Sequence, residues 1–250
     1  MVLMALTTAL MWANPVAAQD DIGDIVAERQ VSYVQALIDS EPSVPMHYMR
    51  MAQAYAAQGQ ESQVLRYTEE AVRRGGSVLA ADIMVGDFYF NQGRYEDALL
   101  RYDNVLRQSP RQSHVLIRVW MIIQRSRADN IGLSFDLNGM IRDLNNAGMH
   151  IGLRPPANNA GQARSRLVEA NRMLNENNIS GAVGAYKAAA DLDPWNPDIY
   201  RGLGVAFARS KDQVRALGAY QLYIALAPPD RADVPRVRQI IIDFYSSGLK

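Results

Sequence analysis

The feature that most constrains this chain is a recurrence of aromatic, glycine and proline positions at a fixed spacing. Tyr55 and Tyr89, Gly59 and Gly93, and Pro194 and Pro228 each lie 34 residues apart. The fullest copy is Leu79 to Gln112, LAADIMVGDFYFNQGRYEDALLRYDNVLRQSPRQ. Ile83, Val85, Gly86 and Tyr89 recur at three-to-four-residue steps, which marks a helix with one buried face. Asn91, Gln92 and Gly93 interrupt it, and a second helical period follows through Tyr95, Ala98, Leu99, Tyr102, Val105 and Leu106. That period stops at Ser109-Pro110, because proline cannot continue a helix. The spacing predicts a helical hairpin, with Gly86 and Ala98 small where the helices cross and Tyr89, Tyr95 and Tyr102 filling the space beside them.

The same pattern runs along the chain. From Pro45 to Val78, Tyr48, Ala52, Tyr55, Gly59 and Ala71 occupy the corresponding places, while Glu61, Val64, Thr68 and Gly76 depart from them. Residues 163–196 carry Ala170, Ala182, Tyr186, Ala189 and Pro194, and residues 197–230 carry Tyr200, Leu203-Gly204, Phe207, Ala216, Tyr220 and Pro228. The stretch 113–146 reads as a degenerate copy. Trp120 falls in a small-residue slot, where it should push the partner helix away, Gly132 takes an alanine slot, and the second helix is expected through Leu133, Leu137, Met140, Ile141 and Leu144. From Pro110 to Pro194 is 84 residues, two periods plus 16, and the surplus coincides with Ala147–Gln162, AGMHIGLRPPANNAGQ, a stretch of loop chemistry. A loop this long in a packed fold is uncommon and tends to be functional or mobile, and a tolerated insertion is the plainer expectation here.

This pattern resembles the tetratricopeptide repeat, whose 34-residue signature runs aromatic, Leu-Gly, Tyr, Gly-x-Tyr, Ala, aromatic, Ala, Pro. Val85-Gly86, Tyr89, Gly93, Tyr95, Ala98, Tyr102 and Pro110 fill those slots, while Asp82 and Val105 replace the opening aromatic and the last alanine. The resemblance implies an all-α, right-handed TPR-like superhelix, an α-solenoid of helical hairpins. Residues 45–146 and 163–230 are the repeats and 147–162 the insertion loop. The 19–44 segment, with Ile25, Val26, Val31, Val34, Leu37 and Ile38 apolar, is an N-terminal capping helix. Residues 231–250 form a C-terminal capping helix whose face of Val237, Ile240, Ile241 and Phe244 covers the last repeat.

Residues 1–18, MVLMALTTALMWANPVAA, form a short apolar run closed by small residues ahead of Gln19 and Asp20-Asp21. This reads as a signal peptide cleaved after Ala18, although the usual basic start is missing. A periplasmic or secreted product with no stable membrane insertion after cleavage is the expectation. The chain has no cysteine, so disulfides, thiolate metal sites, thiol catalysis and lipid-modified cysteine are all excluded. Its 26 basic and 26 acidic residues balance, which removes the electrostatic reason to expect nucleic acid or an anionic membrane as partner.

No catalytic constellation emerges. His47, His114 and His150 lack paired metal-ligand spacing, and Asp20, Asp21 and Asp24 lack calcium-loop spacing. Nucleophile elbow, phosphate loop and dinucleotide fingerprint are missing from the sequence. Glu69-Glu70 is followed four residues on by Arg73-Arg74, a solvated helical face. The reading is therefore non-catalytic, with no cofactor and no metal.

What an array of this kind offers is surface, since in the family it resembles the first helices of successive hairpins line a concave groove. Side chains there that are not packing slots are the peptide-binding candidates: Arg50, Gln53, Asp87, Asn91, Arg118, Gln124, Arg125, Arg164, Asn171 and Arg201. Arginine and amide side chains grip peptide backbone and carboxylates. The carboxylate clamp of chaperone-binding relatives is not reproduced, because Met49 and Gln53 stand where its first repeat would place it. Arg118 and Arg125, and likewise Arg164 and Asn171, are seven residues apart and share a helix face. With the insertion folded toward the groove, both pairs are expected to face one cavity suited to an acidic or C-terminal peptide segment.

The functional expectation is a protein-protein interaction adaptor or scaffold of the cell envelope. The alternatives are an enzyme or accessory factor of envelope polysaccharide metabolism with a site near 147–162, and a self-assembling structural array.

Overall fold

Every element that the computed structural model describes, over residues 15–152, 154 and 156–246, is helical. In chain order they are α1 (Pro15–Ser40), α2 (Pro45–Ala57), α3 (Glu61–Arg73), α4 (Val78–Asn91), α5 (Tyr95–Gln108) and α6 (Ser113–Ala128), followed by α7 (Asn138–Asn146), α8 (Ala160–Asn175), α9 (Ile179–Ala190), α10 (Pro197–Arg209), α11 (Gln213–Leu226) and α12 (Val234–Ser246). This is an all-α fold of helical hairpins, as in an α-solenoid. The expected signal segment lies mostly outside the described residues, and α1 runs unbroken through Ala18-Gln19. Among the described residues no helix is long and apolar enough to cross a membrane. The chain divides into two compact units between Phe88 and Tyr89.

In the N-terminal unit α1 packs on α2 and α2 on α3. Val34 and Ile38 of α1 meet Tyr48 and Met51 of α2 and Ala71 of α3 in one buried cluster. Pro45 opens α2, where a missing N–H costs nothing, and Gly59, at φ +69°, turns the chain into α3. Arg74 lies 4.2 Å from the centre of the Tyr48 ring and donates to the Pro42 carbonyl at 2.6 Å. The same carbonyl accepts from the Tyr48 hydroxyl at 3.0 Å, so α1, α2 and α3 are joined around one backbone oxygen.

In the C-terminal unit α8 packs on α9, α9 on α10, α10 on α11 and α11 on α12. The inter-helix turns reuse one device, a left-handed residue at the same place in the repeat: Gly93 (φ 72°), Asn177 (φ 60°) and Lys211 (φ 63°). Glycine in the small slots admits a tyrosine from a neighbouring helix. A Cβ on Gly202 would lie 2.3 Å from the Tyr186 ring, and one on Gly204 would lie 2.4 Å from the Tyr220 ring. The capping helix α12 buries Val234 and Val237, but Ile240, Ile241 and Phe244 stay partly exposed, so its apolar face covers less of the array than expected.

The degenerate stretch departs from expectation in three ways. Its second helix, α7, starts only at Asn138, so Leu133 and Gly132 lie in irregular chain. The cause is local: Asn130 takes φ 53°, the Ile131 carbonyl accepts from Ser126 Oγ at 2.5 Å, and Glu96 accepts from both the N–H and the hydroxyl of Ser134. Trp120, in a hairpin whose helices α6 and α7 pack less closely than α8 and α9 do, finds its partners in a later part of the chain. It is fully buried, edge-on to Trp195 (5.2 Å) and Tyr200 (5.7 Å), so it joins α6 to α10. The insertion, for its part, is a strap tied at several of its described residues. The Trp120 indole N–H donates to the His150 carbonyl at 3.0 Å and Arg127 to the Gly152 carbonyl at 2.7 Å. Asn145 holds both the N–H and the carbonyl of Ile151.

Candidate ligand-binding clefts

Two clefts in the C-terminal unit follow from this packing. The first lies between α8 and α10 and has a volume of about 480 Å³. Leu167, Leu174 and Val205 give it an apolar floor, and Asn171, Asn175, Arg201 and Arg209 stand around it. Because Gly202 lets the Tyr186 ring approach, the Tyr186 hydroxyl reaches Asn171 and donates to its Oδ1 at 2.7 Å. With its oxygen occupied, the Asn171 amide presents its NH₂ group as donor. Burial raises the Tyr186 pKa, which keeps the hydroxyl a donor throughout the neutral range. Arg209 is anchored on the Leu174 carbonyl at 2.7 Å.

Arg201 is not a free cation. It pairs with Asp233 at 3.2 Å and Asp198 at 3.4 Å, and Arg231 bridges the same two carboxylates. Tyr223 donates to Asp233 at 2.6 Å. Burial and that bond push the Tyr223 pKa to about 12, and the same hydrogen bond lowers the Asp233 pKa. Two arginines are thus balanced by two carboxylates, and Arg209 is left as the one cation of this wall without a carboxylate partner among the described residues.

The structure disperses the other sequence candidates. Arg50 and Gln53 of α2 are exposed in the N-terminal unit, and Asn91 is exposed at the end of α4 while Asp87 is partly covered. Arg118 and Arg125 cover the Phe90 ring, at 4.4 and 5.8 Å from its centre, and Arg125 also donates to the Tyr95 hydroxyl at 3.4 Å. Gln124 is only 3% exposed and unavailable to a ligand. Arg164 is exposed, and only Asn171 and Arg201 of the ten line the α8–α10 cleft. Arg118 and Arg125 do not share it, because the strap lies across α6, α9 and α11 instead of folding toward α8.

The second cleft, about 770 Å³, lies between the strap and α9 and is lined by Asn145, His150, Ile151, Gly152, Arg154, Ala157, Lys187, Asp191 and Leu192. His150 Nε2 lies 2.9 Å from Asp191 Oδ1, and the His150 Nδ1 is buried without a partner, so the hydrogen-bond pattern places the proton on Nε2. The N–H groups of Ala157 and Asn159 donate to the Asp191 and Leu192 carbonyls, which finishes α9. At Gly152 a Cβ would meet the Asp191 carboxylate, which would have to turn from His150 to admit it. Sequence reasoning missed Lys187, Asp191 and Asn175. The i, i+4 spacing of Lys187 and Asp191 is an ordinary helical pair, and only the strap gives it another meaning. Among the described residues no cluster of His, Asp and Glu is arranged to hold a metal ion.

Residues 167–231, from α8 past α11, match the tetratricopeptide repeat family. Over that stretch the chain is similar to tetratricopeptide repeats. Among solved structures, a similar one is that of YrrB, a TPR protein with an unusual peptide-binding site, at 16% identity and a TM-score of 0.35 over 82% of this chain and 97% of that one. No curated protein matches the sequence.

Proposed function

We propose that the α8–α10 cleft holds an extended segment of a partner protein, and that the chain acts as a non-catalytic adaptor. The observation that carries this reading is Asn171. Its oxygen is tied to Tyr186, and its NH₂ group faces a cleft with an apolar floor and a second amide, Asn175, one turn away. Two amides one helical turn apart match the repeating carbonyl and N–H groups of extended backbone, and Leu167 and Val205 accept its side chains. The family match over 167–231 supports the same reading.

The envelope setting is part of the proposal. It rests on the apolar residues 1–18 and predicts Gln19 as the first residue of the mature protein, to be read by mass spectrometry from the native host. For the cleft, the test is capture of partner from an envelope extract by the full chain and by the Asn171→Ala, Asn175→Ala double variant. Hydrogen bonds contribute roughly 1 kcal/mol each, so binding should weaken by about tenfold with helix content unchanged. Undiminished capture by the double variant would move recognition elsewhere.

A further inference from the structure

The cleft under the strap has a composition that the peptide-binding reading does not use. Lys187 and Asp191 stand four residues apart at the end of α9, where such a pair ordinarily forms an ion pair. Here Asp191 is turned to His150 at 2.9 Å. Lys187 and Arg154 both line the cleft, and neither has a carboxylate at ion-pairing distance among the described residues. Two cations therefore face one carboxylate that is already bonded, and the wall keeps one positive charge in excess. Between them the surface is apolar: Ala157 from the strap and Leu192 from the end of α9. The shape is also fixed in advance, since the strap is held at His150, Ile151 and Gly152 by Trp120, Asn145 and Arg127. A volume of about 770 Å³ is in the range of small-ligand sites, which combine a mostly apolar wall with few placed polar groups.

We infer that this cleft binds a monoanionic carboxylate attached to a small apolar group, with the carboxylate on Lys187 and Arg154 and the apolar part on Ala157 and Leu192. A single charge is favoured over a phosphate dianion because Asp191 lies in the same wall and would repel the second charge. The same chemistry is offered by a free small acid and by the C-terminal residue of a polypeptide. This site is separate from the α8–α10 cleft and does not rest on its function.

The test is titration of the full chain, followed by amide chemical shifts, with N-acetyl-leucine, with N-acetyl-leucine amide, and with a short peptide ending in leucine, free or amidated. Saturable binding of N-acetyl-leucine at millimolar concentration, with shifts at Ile151 and Lys187, is expected, and the amide should bind at least about tenfold more weakly, the effect of one charge-assisted hydrogen bond. The free peptide binding tighter than N-acetyl-leucine identifies a polypeptide C-terminus as the source, and equal or weaker binding identifies a small acid. Lys187→Met should reduce affinity by about tenfold, and Arg154→Gln should reduce it in the same direction. Both side chains lie at the surface of the cleft, so circular dichroism of the variants should match the parent. Equal binding of acid and amide, shifts confined to α8 and α10, no saturable binding, or full affinity in Lys187→Met would each overturn the inference.

Discussion

Where α10 meets α9 and α11 the closest approaches run from side chain to backbone, whereas between α11 and the strap they run from backbone to backbone. The Tyr186 and Tyr220 rings occupy the space above Gly202 and Gly204. Above Gly218, by contrast, is the Ala147 carbonyl, 1.7 Å from where a Cβ would be, and above Gly148 (φ 84°) is the Arg215 carbonyl at 2.2 Å. A ring can shift by rotation, but a carbonyl at the end of α7 moves only if the chain around it moves. The repeats are thus a pattern of exchangeable parts, and the degenerate stretch is a single fitted joint.

The comparison breaks first at Trp120, which ties α6 to α10 and to the strap. Trp120→Ala should destabilise the C-terminal unit by about 3–5 kcal/mol, read by denaturant unfolding with Trp195 fluorescence as the local probe. A loss below about 1 kcal/mol would mean that the strap holds itself. Gly218→Ala sharpens the contrast: insertion against a backbone carbonyl should cost about 1–3 kcal/mol. Gly184→Ala, in the exposed middle of α9 with nothing within 4 Å of the new Cβ, should stabilise by about 0.5–1 kcal/mol.

Titration probes the end of the array. The Tyr223 pKa is raised to about 12 in the folded chain from an ordinary value near 10. Its protonated form is favoured by folding, so that contribution is complete below pH 10 and is lost as pH rises toward 12. The buried Tyr186, Tyr200 and Tyr220 shift in the same direction. Unfolding free energy should therefore fall across that window, and less steeply in Tyr223→Phe. The smallest effect belongs to Lys211, held at φ 63°. Lys211→Gly should relieve strain and raise stability by up to about 1 kcal/mol in thermal unfolding, whereas Gly93→Lys, at the equivalent turn, should lower it.

The hairpins were most legible where helical period, turn residue and proline stop agree, as they do in Leu79–Gln112. Tyr89, Gly93 and Pro110 are read from local spacing alone, and the helices fall where that spacing puts them. Trp120 was legible only in part, because a signature slot says which position a residue takes and not which neighbour it meets: its ring turns to Trp195 and Tyr200, some 75 to 80 residues on. The truncation of α7 was illegible for the same reason, since Glu96, at the start of α5, binds Ser134, beyond the end of α6. For the clefts, helix spacing located Asn171 and Arg201 but not the acids that neutralise the arginine. Asp233 lies on the far side of a turn, and its approach to Arg201 has no signature in either neighbourhood.

The strap is held chiefly through its main chain. Trp120, Arg127 and Asn145 grip the carbonyls of His150, Gly152 and Ile151 and the Ile151 N–H, and α9 takes the N–H groups of Ala157 and Asn159. Main-chain groups are common to all residue types, so the path of the strap does not depend on which side chains it bears at the exposed Arg154 and Ala157, while the buried Ile151 is held by packing as well. Gly152 and His150 are further exceptions, both set against Asp191. Descendants of this chain can thus substitute the outward face of the strap, and change what the cleft accepts, without redrawing the course that the backbone follows. The insertion works as a bracket of constant outline whose facing can be replaced.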